Sequence, residues 1–321
     1  MRAVTTVGNN LVVRDHRDPR PGAGEVLVEV RAAGVNGADL MQLKGFYPAP
    51  PGSPPDILGL ELAGEVIALG TAASRFRVGD RVMALVGGGG QAELATVHER
   101  LLMAIPDTVD WIEAGGFAEV FTTAHDALFT QAGLRSGEHV LVNGGAGGVG
   151  VAAVQLAHLA GAHVCATVRA EQLRAEVAKL GADVVTGPDG AAAHGPFDVI
   201  IELVGAPNLA ANVEALAVRG RIVVIGIGGG SRAEVDLRTL MARRGHLMAS
   251  TLRARPLEEK ADCARRVEAE VIPALATGRL HVPVAATYGL EQADQAYARF
   301  VAGQKLGKIV IDMAHVAAIA R

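Results

Sequence analysis

The chain has 321 residues, which is enough for two domains of ordinary size. Half of its residues are hydrophobic and 20% are charged, a balance that supports full-sized cores and argues against disorder. Its net charge of −4 argues against nucleic-acid binding, and its two cysteines cannot build a disulfide scaffold or a four-cysteine zinc site.

The amino-terminal residues lead directly into a predicted strand, with no charged segment preceding an apolar run, so we expect a cytoplasmic protein. The most apolar stretch, Val149 to Thr167, is interrupted by Gly161 and contains His158 and His163. These residues argue against a membrane span and predict a buried helix followed by a strand.

Residues 1–119 are expected to form a β-rich domain, a barrel or sandwich with small helices. Short alternating or apolar runs separated by Pro- and Gly-rich turns support this prediction. The predicted strands are Leu11–Arg14, Glu25–Arg31, Glu61–Leu69 and Asp80–Leu85.

The pattern changes after Gly116, where a helix is predicted over residues 117–132 and strands then alternate with helices. Such alternation is typical of a parallel sheet covered by helices on both faces. The predicted strands are 139–142, 163–167, 198–203 and 221–225, and the predicted helices are 149–160, 171–180 and 208–216. Cys165 lies in the second of these strands and is expected to be a core residue.

The carboxyl-terminal part returns to the earlier pattern. We predict a helix over 258–276, a strand over 281–285, a helix over 290–301 and a strand over 308–311. We interpret residues 260–321 as completing the domain begun by residues 1–119. Residues 120–259 then form an inserted α/β domain.

A glycine-rich turn is the sharpest local feature of the sequence. It runs from Val142 to Gly150 as VNGGAGGVG, follows a predicted strand and opens a predicted helix. The dinucleotide spacing G-x-G-x-x-G is met by Gly145, Gly147 and Gly150. This context favours a nucleotide pyrophosphate at the helix start over a purely structural tight turn.

The residues at the end of the next strand are expected to determine whether the site prefers NAD or NADP. An NAD-preferring site has a carboxylate there, whereas this chain has Ala166-Thr167-Val168-Arg169. Arg169 can form paired hydrogen bonds to a 2′-phosphate, with help from Thr167. NADPH is therefore the predicted cofactor; the alternative is that Arg169 is only a solvated residue at a helix start.

The segments Asn36-Gly37-Ala38-Asp39, Gly59-Leu60-Glu61 and Gly79-Asp80-Arg81-Val82 resemble the medium-chain dehydrogenase/reductase superfamily. Its zinc alcohol dehydrogenases have Cys at the position of Asn36 and His at the position of Leu60. Neither Asn36 nor Leu60 suits catalytic zinc, and the loop that carries structural zinc is missing. No metal is therefore expected.

The chain resembles the zinc-independent quinone oxidoreductases over nearly its whole length. The matching segments are residues 36–42, 45–47, 83–92, 101–103 and 307–310. Residues 250–255, STLRAR, also resemble the tumour-suppressor-inducible branch of that family. The resemblance implies a Rossmann doubly wound sheet inserted into a GroES-like β-rich catalytic domain, NADPH as cofactor, and a homodimer.

The resemblance also implies roles for individual residues. The nicotinamide is expected near Asn36, Tyr47 and Thr123, and the 2′-phosphate near Arg169. The adenosine phosphates are expected on Gly145, Ala146, Gly147, Gly148 and Val149. Further cofactor contacts are expected from Thr167, Gly226, Ile227 and Lys308.

The sequence departs from the family pattern at three of the cofactor positions. Leu173 replaces a lysine and Pro188 replaces a tyrosine, both of which usually help to hold the 2′-phosphate. Gly147 replaces a serine of the branch. NADPH selectivity therefore depends more heavily on Arg169, with Arg174 as a possible second contact.

Quinone reduction needs hydride from the nicotinamide and a hydrogen-bond donor for the developing oxyanion. Tyr47 is the candidate donor, or alternatively a loop anchor that packs on the cofactor. Asn36 is expected to orient the substrate, since its amide has no titratable proton, and Asp39 either braces its helix or contacts substrate. Arg253 and Arg255 are assigned to the surface, ahead of a place beside the cofactor or a partner.

The predicted function is metal-free NADPH-dependent reduction of quinones. One alternative is reduction of α,β-unsaturated aldehydes or ketones, because hydride transfer would use the same geometry. A second alternative is a cofactor-bound redox sensor or structural protein with little turnover.

Overall fold

The computed structural model describes residues 1–8 and 10–313, and these divide into two compact units. The first, called the β-rich unit below, consists of Met1–Thr122, Leu252–Gly303 and the segment that begins at Lys308. The second, called the α/β unit, consists of Thr123–Thr251 and Gln304–Gly307. The observed boundaries thus lie near residues 122 and 252, where the sequence suggested 119 and 260.

Among the described residues the strands are, in chain order, β1 Arg2–Val7, β2 Asn10–Asp15, β3 Glu25–Gly34, β4 Glu61–Leu69, β5 Arg81–Leu85, β6 Leu94–His98, β7 Leu102–Ala104, β8 His139–Asn143, β9 His163–Thr167, β10 Val184–Thr186, β11 Phe197–Glu202, β12 Leu216–Val224, β13 His246–Ala249, β14 Val284–Gly289 and β15 Lys308–Asp312. The α-helices are α1 Gly37–Leu43, α2 Trp111–Gly115, α3 Ala118–His125, α4 Gly148–Leu159, α5 Arg174–Lys179, α6 Ala206–Glu214, α7 Leu237–Arg243, α8 Leu257–Glu270, α9 Ile272–Ala276 and α10 Ala293–Ala302.

The β-rich unit is built on a sheet with the order β14-β15-β3-β4-β5-β7, in which β6 also pairs with β3. Along β3 the apolar side chains alternate into the core, as Val26, Val28 and Val30 show. The carboxyl-terminal strand β15 pairs antiparallel with β3, with Val310 opposite Gly34. This pairing brings Lys308 close to the end of β3, where α1 begins.

The α/β unit is a six-stranded parallel sheet with the order β10-β9-β8-β11-β12-β13. This order is that of a doubly wound Rossmann sheet, and it confirms the predicted fold class. The strand order reverses between β8 and β11. The glycine turn follows β8, so it lies at the point where such sheets bind nucleotides.

Several predicted elements differ in detail. The helix predicted over 117–132 is α3 followed by a π-helical segment, Asp126–Gln131. The helix predicted over 258–276 is interrupted at Val271, because Pro273 near the start of α9 has no N–H to continue the ladder. The strand predicted over 281–285 occupies Val284–Gly289 instead.

Strand β13 was not predicted. Three of its four side chains are exposed, so its sequence has no alternation of buried and exposed residues. Cys165 is buried in β9 as expected, and burial raises the pKa of its thiol to about 11. A search of the described helices finds none with the length and apolar character of a membrane span.

Candidate active site

The glycine turn between β8 and α4 depends on residues without side chains. Gly144 has φ +84°, a conformation that favours glycine. A Cβ on Gly150 would lie 2.3 Å from the Gly144 carbonyl oxygen, so only glycine fits there. Gly147 is the N-cap of α4, and its extended backbone directs the turn into the helix start. The backbone N–H groups of this helix start are the donors that the prediction assigns to a pyrophosphate.

A buried carboxylate supports this turn. Glu202, at the end of β11, is fully buried and accepts hydrogen bonds from the backbone N–H groups of Val204 (2.6 Å) and Gly205 (2.7 Å). Its other oxygen accepts from the side-chain amides of Asn143 (2.9 Å) and Asn212 (2.7 Å). This network was not predicted from the sequence, where its one signal is a carboxylate at the end of an apolar strand, a place where burial is costly unless donors surround it.

Thr167 belongs to the same network. Its hydroxyl donates to Asn143 Oδ1 (3.0 Å) and accepts from the Gly144 N–H (3.2 Å), and the residue is buried. The structure thus places Thr167 as a brace between β9 and the glycine turn. Its contact with a cofactor stays a prediction.

The two arginines considered for the 2′-phosphate are placed differently. Arg169 is exposed, and within the described part of the chain its guanidinium has no hydrogen-bond or ion-pair partner. Arg174 donates from Nε to the Val168 carbonyl oxygen at 3.2 Å. Arg169 is therefore the guanidinium that is available to an anion at the end of β9.

The remaining predicted contacts of the α/β unit lie in two further segments. Gly226 follows β12, and a Cβ there would lie 2.1 Å from the Leu203 carbonyl oxygen, so a side chain is excluded. Ile227 beside it is 47% exposed, an unusual exposure for a large apolar residue after a core strand. Thr123 is buried within α3.

The β-rich unit contains a buried ion pair beside Asn36. The Lys308 Nζ lies 2.6 Å from Glu61 Oε1, with the side chains 2% and 0% exposed. The same ammonium donates to Asn36 Oδ1 (2.5 Å) and to the Val35 carbonyl oxygen (3.2 Å). All three N–H donors of Lys308 are thus used, so a direct cofactor contact by Lys308, which stays a prediction, would require one of these bonds to break.

This ion pair determines how the Asn36 amide is oriented. The Asn36 Nδ2 donates to Glu61 Oε1 at 2.9 Å, while its Oδ1 accepts from Lys308. Exchanging the amide oxygen and nitrogen would set N–H donors against the Lys308 ammonium and an oxygen against the Glu61 carboxylate. Only one orientation of the amide therefore satisfies both partners. One amide N–H remains beyond the bond to Glu61, and it is the donor that Asn36 could offer to a ligand.

Asp39 braces the start of α1. It is fully buried, and its two oxygens accept from the backbone N–H groups of Asn36 (2.8 Å) and Gly59 (3.1 Å). Burial raises the pKa of Asp39 to about 7, against the opposing effect of these hydrogen bonds and of Lys308. Of the two roles considered for Asp39, the geometry shows the helix brace.

Tyr47 lies in a loop, residues 44–55, that we call the Tyr47 loop; the side chain is half-buried. The Cζ of Arg253 lies 5.1 Å from the centre of the Tyr47 ring. Arg253 is 3% exposed, so its assignment to the surface was wrong. Arg255 is half-buried, with its Nη1 at 3.5 Å from Cys263 Sγ.

The positions that correspond to the zinc ligands of alcohol dehydrogenases offer no metal donors here. The Asn36 amide is bonded to Glu61 and Lys308, and Leu60 is a buried apolar side chain. Within residues 1–8 and 10–313, no three His, Cys, Asp or Glu side chains are grouped to hold a metal ion.

Comparisons with known proteins agree with this geometry. Residues 22–133 match the family model described as the alcohol dehydrogenase GroES-like domain, and residues 148–269 match the model described as zinc-binding dehydrogenase. A mycobacterial protein solved in complex with NADPH has a TM-score of 0.87 at 28% identity, covering 97% of this chain and 100% of its own. An alcohol dehydrogenase superfamily protein from Novosphingobium aromaticivorans has a TM-score of 0.85 at 30% identity, with 98% and 99% covered.

Two curated relatives match at similar levels. The acryloyl-coenzyme A reductase of Metallosphaera sedula is 31% identical over 97% of this chain and 99% of its own length. The quinone oxidoreductase of Rattus norvegicus is 31% identical over 91% and 90%. Fold, glycine turn and relatives together define a pyridine-nucleotide-dependent oxidoreductase. The chain belongs to the medium-chain dehydrogenase/reductase superfamily.

Proposed function

We propose that this protein is an NADPH-dependent quinone reductase that works without a catalytic metal. The observation that carries the proposal is the Asn36 side chain, which Lys308 and Glu61 hold as an oriented amide donor at the position of a zinc ligand. An oriented donor can stabilise the oxyanion that develops during quinone reduction, so the residues present suit that reaction. Quinone oxidoreductases among the relatives, at about 30% identity, support it.

NADPH fits the residues of the α/β unit. The glycine turn leaves no room for a Cβ at Gly150, and Arg169 is a guanidinium without a partner among the described residues. We propose that the turn, from Gly145 to Val149, binds the phosphates and that Arg169 binds the 2′-phosphate. The NADPH-complexed neighbour supports this choice of cofactor.

Asn36, Lys308 and Tyr47 of the β-rich unit have distinct parts in the proposed reaction. NADPH, when bound, supplies the hydride. The second N–H of the Asn36 amide orients a carbonyl oxygen of the acceptor, and the bond from Lys308 to Oδ1 fixes the orientation of that amide. Tyr47 donates a hydrogen bond to the reduced oxygen through its hydroxyl, and solvent can supply the final proton.

Reduction of an activated carbon–carbon double bond is the second candidate, and the acryloyl-coenzyme A reductase relative favours it. One assay separates the two. Purified protein is mixed with NADPH, and the loss of absorbance is followed with 1,2- and 1,4-quinones and then with enones and enoyl thioesters. Rapid oxidation with quinones alone supports the proposal, whereas turnover of enones alone refutes it. Binding of NADPH without turnover on any acceptor would favour a redox sensor.

We also propose that the protein is a homodimer, which assembles through the free edge of the α/β sheet. Strand β13 has β12 as its neighbour and no strand on its other side among the described residues. Leu247 on β13 and Met241 on α7 are 41% and 76% exposed, so apolar side chains are available to a partner at this sheet edge. Light scattering should give twice the chain mass, and Leu247→Lys should lower the measured mass.

We also propose that the protein belongs to the tumour-suppressor-inducible branch, because residues 250–255 are similar to that branch.

A further inference from the structure

We propose that Arg253 is a positioning residue that holds Tyr47 for the acceptor, an inference that rests on the proposed function. Arg253 lies between β13 and α8 in sequence, far from the Tyr47 loop along the chain. Its side chain reaches that loop in the folded β-rich unit. The inference goes beyond Tyr47 itself, because it assigns the geometry of the donor to a different residue.

The guanidinium of Arg253 bonds the continuous stretch formed by α1 and the Tyr47 loop to the more distant glycine run 87–90. Its Nε donates to the Gly87 carbonyl oxygen at 2.7 Å, and its Nη1 donates to the Tyr47 carbonyl oxygen at 2.8 Å. Its Nη2 donates to Gln42 Oε1, on α1. A planar guanidinium presents these donors in fixed directions, so one side chain sets the relative positions of α1, the Tyr47 loop and the glycine run 87–90.

The same side chain also constrains the aromatic ring. Its Cζ lies 5.1 Å from the centre of the Tyr47 ring, within the range of a cation–π contact. The Tyr47 backbone and ring therefore both contact one rigid group. Together these contacts restrict where the Tyr47 hydroxyl can point.

The neighbouring loops lie in close contact with each other and with Arg253. A Cβ on Gly87 would lie 2.1 Å from Ser53 Oγ, so the glycine run and the Tyr47 loop touch directly. Gly88 has φ +154°, and a Cβ there would lie 3.3 Å from the Pro54 carbonyl oxygen and in ordinary contact, at 3.5 Å, with Arg253 Nη2. The guanidinium thus fills a defined space between the two loops.

The chemistry of this arrangement favours a functional role over a purely structural one. Arg253 is 3% exposed, and the acceptors it bonds are two carbonyl oxygens and an amide oxygen, none of them charged. Burial lowers the pKa of Arg253, with Asp39 and Tyr47 acting in the opposite direction. An apolar side chain of similar length would fill the space without that desolvation, but it could not fix the loops in direction.

The test uses Arg253→Met and Arg253→Lys in the full-length protein, with Arg255→Met as the matched control. Amide hydrogen exchange over residues 44–55 is measured first, because it does not depend on turnover. We expect faster exchange in both Arg253 variants, since a lysine presents its donors from one nitrogen and cannot match the planar spread of the guanidinium. We expect unchanged exchange in the control. Unchanged exchange in Arg253→Met would overturn the inference.

Steady-state kinetics then test whether the loss of activity in the Arg253 variants depends on Tyr47. We expect Arg253→Met to lower kcat/KM for a quinone by about 10- to 100-fold, the scale of a misplaced group, with Kd for NADPH changed less than about 2-fold. In the Tyr47→Phe background, Arg253→Met should cause little further loss. Fully additive losses would refute positioning through Tyr47. If the wild-type protein reduces no quinone, the proposed function fails, and the exchange measurement still decides whether Arg253 holds the loop.

Discussion

The buried pair Lys308–Glu61 offers a sharp test of the structure. Lys308→Met keeps most of the length of the side chain but removes its charge, which leaves the Glu61 carboxylate buried without a counter-charge. Removing one partner of a buried ion pair typically costs about 3–5 kcal/mol. Glu61 retains hydrogen bonds from the Asn36 amide (2.9 Å) and the Glu119 N–H (2.8 Å), so we expect the lower end, about 3 kcal/mol.

The assay uses a natural reporter in the same unit. Trp111, the only tryptophan of the chain, lies on α2 with Arg81 Cζ 4.4 Å from its ring, so its fluorescence follows unfolding of the β-rich unit. With a urea slope of about 1–3 kcal/mol per molar, the midpoint should fall by about 1–3 M. Lys44→Met, on an exposed lysine of the same unit, should change stability by less than about 0.5 kcal/mol.

A double variant completes this test. Because Lys308→Met damages the protein through the unpaired carboxylate, adding Glu61→Gln should recover about 1–2 kcal/mol of the loss. The two substitutions must then be less harmful together than the sum of their separate effects. Strict additivity, or a Lys308→Met protein as stable as the wild type, would refute the reasoning.

Three further predictions concern the cofactor site and pH. Arg169→Ala should raise KM for NADPH by about 10-fold or more and leave KM for NADH nearly unchanged, since a charge-assisted bond is lost; equal effects on both would remove Arg169 from the phosphate site. Gly147→Ser should tighten NADPH binding about 2- to 10-fold in a fluorescence titration, because a Cβ there meets only the Gly144 oxygen at 3.4 Å and the added hydroxyl can donate to a phosphate. Gly147→Ala is the control, and equal binding by the two variants would contradict this prediction. Burial raises the pKa of Asp39 from 3.8 to about 7, so the folded protein keeps a proton that the unfolded chain releases between those values. The contribution of Asp39 to stability should therefore fall as pH rises from about 4 to about 7, by at most about 1.4 kcal/mol per pH unit, and Asp39→Asn should flatten this slope in denaturant titrations. A slope unchanged by the substitution would contradict the assignment.

Local sequence patterns predicted the elements whose burial is regular. The strand over Glu61–Leu69 was predicted with its observed bounds, and the glycine turn was placed correctly between a strand and a helix. These elements are predictable because side chains of one strand or helix meet the core at a fixed period, and because tight turns require glycine at fixed positions. Strand β13 lacks such a period, so no local pattern marked it.

Residues that act through distant partners were not predictable in the same way. Arg253 looked like a surface cation, yet it is buried against Gly87, Tyr47 and Gln42. The cofactor contact of Lys308 stays a prediction, and its bonds to Glu61, Asn36 and Val35 had no signal in the sequence.

The sequence alone thus predicted the parallel α/β sheet and the glycine turn, because each depends on residue type and spacing along the chain, and its family resemblance indicated the positions where zinc ligands are replaced. Tertiary structure alone decided which charges are buried and what they contact. The reason is physical: the free energy of a buried charge depends on donors and counter-charges brought from remote segments, and chain spacing does not specify those.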